Sequence, residues 1–332
     1  MGTSVNRAIE ALVPIIAAAT VSDPIRQHWL DRLWEAIEDD GCCYIESLTD
    51  YWGELCSEQR VALHWIELFR PTTERIWRDW SPGRFVIHRG TNACFSLMMK
   101  AGQFAELLAL LELAPNKFWH DRRWGVRALI ALGRGAEAIQ YAESCRGINT
   151  PDGEISRICE EILLRAGLSD EAYRRYALAA NRGSTHLATH RALAKKYPGK
   201  APVEILRDLI ASTPGDEGKW FAAAKEAGCF DLAIELVNRT YTDPRTLVRA
   251  ARDFVQAQPQ FAFDCGLAAM RWLSEGYGFD ITALDVWDAH AATMAASRAA
   301  GRPDEETQDR IRRIVEGPTP ARRFMIDALR LT

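Results

Sequence analysis

Basic side chains recur at helical spacing along this chain. His120, Arg123 and Arg127, then Arg157, His186, His190, Lys219, and finally Arg245, Arg249 and Arg252 fall at matching offsets before successive turn positions. Offsets of three and four put such residues on one face of a helix. The apolar residues of the same segments take another face: Val126 and Leu129, Ile155 and Cys159, Leu187 and Ala192, Leu247 and Phe254. A strip of guanidinium and imidazole groups can hold a polyanion, either the carboxylates of an acidic protein segment or the phosphates of a nucleic acid. Trp124 and Trp220 stand within the strip and Trp119 beside it, available for base stacking. With no partner, the same residues form the solvated face that any amphipathic helix needs.

Reaction chemistry finds less in the sequence. There is no Gly-x-Ser-x-Gly, no His-Glu-x-x-His, no phosphate-binding Gly-Lys-Ser/Thr loop and no dinucleotide fingerprint, so no cofactor is implied. His120 and Asp121 are adjacent, and neighbours on a helix point apart. His186 and His190 lie one turn apart and could give two metal ligands, but residues 172–200 contain no acid to complete a site. Cys42, Cys43 and Cys56 with His64 lack the two-residue gap of a zinc knuckle. Asp285 or Asp288, beside Trp287, would be the acid needed if the chain were a base-processing enzyme built on helical repeats, an idea that rests on analogy alone.

The elements that must carry these residues are helices. The 332 residues are 48% hydrophobic and 26% charged, the balance of a folded soluble protein. Alternating β-branched runs are almost absent, and 84–88 is the one short strand-like stretch. The eight scattered cysteines read as reduced core residues of a cytoplasmic protein. Glu10 and Pro14 interrupt the N-terminal apolar run, and no run approaches the ~18 residues of a membrane span. Net charge is −4 but unevenly spread. Residues 1–70 carry 5 basic and 12 acidic groups, and residues 117–200 carry 15 basic and 9 acidic. Such polarity allows self-association, the acidic head of one molecule on the basic middle of another.

One turn pattern organises the middle of the chain. Gly102, Gly133, Gly167 and Gly228 each open a small-polar turn followed by an apolar helix, and Gly199 opens a poorer copy. The spacings are 31, 34, 32 and 29 residues, the mark of stacked helical hairpins. Each glycine is expected to close a helix in the left-handed conformation. First helices are expected near 90–101, 118–132, 153–166, 184–197, 217–227 and 243–257. Second helices are expected near 104–113, 136–145, 169–180, 202–212, 230–239 and 261–275. Before them, helices near 3–18, 24–39, 57–69 and 72–80 hold Trp29, Trp34, Trp52, Trp65, Trp77 and Trp80, either a bulky cap or a groove of exposed aromatics. Helices near 281–300, 304–316 and 321–330 close the chain. The organisation expected is an N-terminal cap over 1–89, repeats over 90–275 and a C-terminal cap over 276–332.

The turn Gly-x-x-x-Glu-Ala-Ile at Gly133, with its relatives at Gly167 and Gly228, resembles the inter-helix turn of tetratricopeptide repeats. Ala138, Ala172 and Ala233 match the family's alanine five residues on, over a region of about 90–275. Seven residues before the glycine stand Phe95, Val126, Glu160 and Phe221, where the family has something small. The resemblance implies an all-α fold, a right-handed α-solenoid of stacked helical hairpins with an irregular helical N-terminal cap, whose first helices line a concave face. On that basis the chain is expected to be an adaptor or scaffold gripping an acidic protein or peptide segment. The alternative is a nucleic-acid-binding solenoid, with a glycosylase-type activity as its enzymatic form.

Overall fold

The computed structural model describes residues 2–81, 88–147 and 152–330. All regular structure among them is helical. The strand-like stretch over 84–88 lies outside the described residues, apart from His88. The described chain divides into two compact units, Met1–Ala180 and Asn181–Thr332.

In the first unit, α1 (Gly2–Ala18) and α2 (Asp23–Asp39) lead to a 3-10 turn, Glu46–Tyr51, that runs into α3 (Trp52–Leu55). Then come α4 (Gln59–Arg78), α5 (Gly90–Ala101), α6 (Phe104–Glu112), α7 (Trp119–Ala131), α8 (Gly135–Glu143) and α9 (Asp152–Arg165). The last helix of the unit begins as α10 (Ser169–Ala172), passes through a π turn at Tyr173–Ala177 and ends as α11 (Leu178–Ala180). Helix α5 is central, with every residue from Asn92 to Met98 buried. It packs on the 3-10 turn, α3, α4, α6 and α7. Gly53 permits the closest approach, because a Cβ there would stand 2.3 Å from the carbonyl of Ser96.

The second unit runs through α12 (His186–Lys196), α13 (Pro202–Ala211), a 3-10 turn at Glu217–Trp220, α14 (Phe221–Glu226) and α15 (Phe230–Arg239). It continues with α16 (Pro244–Phe254), α17 (Pro259–Ser274), α18 (Ala283–Ala299), α19 (Asp304–Val315) and α20 (Pro320–Leu329). Here α17 is central and packs on α15, α16, α18, α19 and α20.

Helix boundaries follow local chemistry. Thr185 and Asp243 cap α12 and α16 by accepting the amides of Ala188 and Thr246, and Pro244 sits in the first turn of α16. Gly102, Gly133, Gly167 and Gly228 all have φ between 73° and 76°. Beyond each, the next amide reaches back five residues: Gln103 to Met98, Arg134 to Leu129, Leu168 to Leu163, Cys229 to Ala224. Gly276 and Gly301 close α17 and α18 in the same way. Ala138, Ala172 and Ala233 are fully buried where the second helices meet the rest. Phe95, Val126, Glu160 and Phe221, the departures from the family's small residue, are buried too.

Four expectations need correction. Pro71 does not start a helix; α4 runs through it. Its ring is exposed and so is Glu67, whose carbonyl loses its usual donor, so water can take the lost bond. Gly199 is not among the left-handed glycines, and α12 ends instead at Tyr197 with φ −120°. Cys42 and Cys43 are exposed in the bend after α2 rather than in the core. The segment 46–55, expected as no element, folds as a 3-10 turn and a single α turn against α5. Trp34, Trp52, Trp65 and Phe69 form one aromatic cluster with ring centroids 4.5 to 6.3 Å apart, whereas Trp80 is 41% exposed.

Candidate functional site

The basic residues of α16 reach the surface because Leu247, Val248, Ala250 and Ala251 take the buried face. Arg245, Arg249 and Arg252 fall at i, i+4 and i+7 and are all exposed. They face a groove of about 190 Å³ floored by Val248 and Leu273 and bordered by Asp285 and Asp288 of α18. Arg245 holds Asp285 through two hydrogen bonds, Nε to Oδ1 at 2.6 Å and Nη2 to Oδ2 at 3.1 Å. The Asp285 carboxylate also accepts the amide and hydroxyl of Thr282, which starts α18. The bond from Arg245, with help from Thr282, holds the Asp285 carboxyl well below the usual carboxylate range. Arg252 lies 4.0 Å from Asp288. Arg249, between them, has no ion pair among the described residues. Three guanidinium groups therefore meet two carboxylates, and the groove carries one positive charge in excess.

In the first unit the strip is broken up. Arg123 donates to both oxygens of Asp50, at 2.7 and 2.8 Å, and from Nε to the His120 carbonyl. Asp50 also accepts from Asn92, whose Oδ1 takes the indole N–H of Trp124 at 2.6 Å. The acidic head and the basic middle thus meet inside one chain. Arg127 is exposed, with its guanidinium 4.6 Å from the centroid of the Trp124 ring. Arg157 is exposed and, like Arg127, has no ion pair among the described residues. His120 points elsewhere, into a cleft with Asp121, Trp77, Trp80 and Phe118.

Several of the residues expected to bind are internal. Trp124 and Trp220 are each only 3% exposed, and Trp119 is buried as well. Their indole N–H groups are spent on Asn92, Thr213 and Glu154, so none is a free stacking platform. His190 is buried, its ring nitrogen 3.0 Å from the Pro202 carbonyl. His186 is half-buried and meets Trp220 edge-on at 4.5 Å; burial, then Lys219, lowers its pKa. Lys219 is exposed but paired with Asp216 at 2.9 Å. The three tryptophans and His190 turn inward because each places a ring nitrogen beside an acceptor from another segment.

Trp77 and Trp80, offered by the sequence as part of a groove of exposed aromatics, meet Phe118 and Asp121 in one cleft that the sequence did not assemble. The signal present was Trp77 and Trp80 three residues apart at the end of α4, followed by an aromatic residue at the N-cap of α7. No group of three or more His, Cys, Asp or Glu side chains that could hold a metal ion occurs among the described residues. No helix among them is long and apolar enough to cross a membrane. No family model, curated protein or solved structure matches the chain.

Proposed function

We propose that the chain is a tetratricopeptide-like helical-hairpin binding protein that holds an acidic segment of a protein partner, with the groove between α16 and α18 as the anchor. The reading takes the paired helices as stacked hairpins of a right-handed solenoid. The observation that carries it is Arg249, exposed in a groove where Arg245 is held by Asp285 and Arg252 lies 4.0 Å from Asp288. One incoming carboxylate would neutralise the groove, and the Arg245–Asp285 pair fixes one rim before it arrives. Arg127 and Arg157 offer similar unpaired charge in the first unit.

The nucleic-acid alternative loses its stacking residues, because Trp119, Trp124 and Trp220 are buried. Of the two acids the glycosylase form could use, Asp285 has both oxygens occupied by Arg245, and Asp288 lies 4.0 Å from Arg252. Self-association through opposite charges would have to use residues other than Asp50 and Arg123.

The test is binding of an acidic peptide library to the full chain, beside the same sequences with Asp and Glu changed to Asn and Gln. Arg249→Glu should weaken the acidic binders by about ten-fold or more, and flatten their salt dependence. Equal binding of the neutral library, or tighter binding of random-sequence DNA than of any acidic peptide, would count against the proposal.

A further inference from the structure

A second feature lies in the first unit, apart from the arginine groove. A cleft of about 240 Å³ opens where the end of α4, the start of α5 and the start of α7 meet Glu46. Trp77, Trp80 and Phe118 line it. Trp80 is 41% and Phe118 50% exposed, so two large aromatic faces stand in water at one concavity. Leaving such area uncovered forgoes hydrophobic burial, and clefts that do so are commonly binding sites.

The polar groups of the cleft set the charge of what would fill it. Glu46 and Asp121 make no side-chain hydrogen bond or ion pair among the described residues. Burial pushes the Asp121 carboxyl above its ordinary pKa, against the opposing pull of His120, Arg123 and Arg122. Arg89, His88 and His120 also line the cleft. Arg89 donates to the backbone carbonyls of Ile37, Glu38 and Asp40, which satisfies its guanidinium away from the aromatic faces. His88 has its pKa lowered, first by burial, and stands neutral near pH 7. The cleft is therefore aromatic, and its two carboxylates outnumber its one guanidinium.

We propose that this cleft binds a quaternary ammonium group, with Trp77, Trp80 and Phe118 around the methyl groups and Asp121 and Glu46 supplying the counter-charge. Aromatic faces attract cations through the ring quadrupole, and a methylated ammonium sheds its water more cheaply than a bare one. A neutral ligand would gain nothing from the two carboxylates, and an anion would be repelled by them. A bare divalent ion would need at least three closely set ligands, a grouping not found among the described residues. The chemistry is shared by a free choline-type molecule and by a trimethyllysine side chain of a protein.

The experiment is calorimetric titration of the full chain with choline and, separately, with a short peptide containing trimethyllysine. The neutral isostere 3,3-dimethylbutan-1-ol serves as the control. Saturable binding of either cation at millimolar affinity or better is expected, with the isostere weaker by about ten-fold or more. Trp80→Ala and Asp121→Asn should each cost about ten-fold while the far-UV circular dichroism stays unchanged. Trp80 is exposed and Asn matches Asp in shape, so folding is not at stake in either variant. Choline binding without peptide binding assigns a small-molecule ligand, and the converse assigns a protein side chain. Absence of saturable binding by both, equal binding of the isostere, or binding indifferent to both variants overturns the proposal. None of these outcomes depends on the arginine groove of the second unit.

Discussion

At the scale of single residues, the type of a side chain was legible in the sequence and its partner was not. Arg123, Arg245 and Arg252 share their helix faces as the spacing requires, yet each is answered by an acid from far along the chain: Asp50, Asp285 and Asp288. Periodicity reports which face a residue occupies, while an ion pair between distant segments depends on how those segments pack. The turn glycines are the opposite case, because their role is local. Gly133 has φ 73°, and no atom lies within 4 Å of where its Cβ would be. Any penalty on substitution is therefore one of backbone conformation and not of crowding. Gly133→Val is expected to destabilise the first unit by about 1–2 kcal/mol, and Gly133→Asn by clearly less, since Asn tolerates the left-handed region. Urea unfolding of the two variants beside the parent protein checks this; equal losses for Val and Asn would mean that something other than φ sets the cost.

At the scale of elements, helix ends were legible wherever a cap or a left-handed glycine marked them, as at Thr185, Asp243 and Gly228. They were misjudged at Pro71, where an exposed position lets a helix run through a proline, and over 46–55, whose short turns exist by packing on α5. The start of α18 joins element stability to the binding groove. Asp285 accepts from Thr282 and from Arg245, and its carboxyl is held below the ordinary range. A carboxylate with a lowered folded-state pKa stabilises the fold above its unfolded value, near 4, and that contribution is lost as pH falls toward the folded value. Asp285→Asn should therefore cost about 1 kcal/mol at pH 7, a modest figure because Arg245 is half exposed. The gap between variant and parent should shrink steadily below about pH 4. Thermal melts at pH 7, 4 and 3 test it, and a gap that widens on acidification would reverse the sign of the argument. The same substitution frees Arg245, so acidic-peptide binding should be kept or strengthened while stability falls.

At the scale of the whole molecule, the question is which stretches carry a core of their own. The glycine-turn spacing suggests one run of repeats from about 90 to 275, whereas contacts gather into Met1–Ala180 and Asn181–Thr332. Sequence repeats report the unit of construction, and a cooperative core depends on long-range packing that spacing does not encode. The second unit has such a core around α17, where Phe261, Phe263, Met270, Trp272 and Leu273 are all buried. Its edges are also tied internally: Arg271 and Trp272 both donate to the Val237 carbonyl, and Tyr241 stacks on Tyr277 at 4.8 Å. Residues 181–332 expressed alone should therefore be helical and unfold in one sigmoidal thermal transition. A shorter piece, 243–332, lacks the Val237 acceptor and the Tyr241 ring while keeping α16 to α20. It should melt lower, or aggregate, because the face of α17 that α15 covers is left in water. Circular dichroism melts of the two pieces decide the matter. If 181–332 shows no cooperative transition, or if 243–332 melts as high, the second unit is not a folding unit with its edge at residue 181.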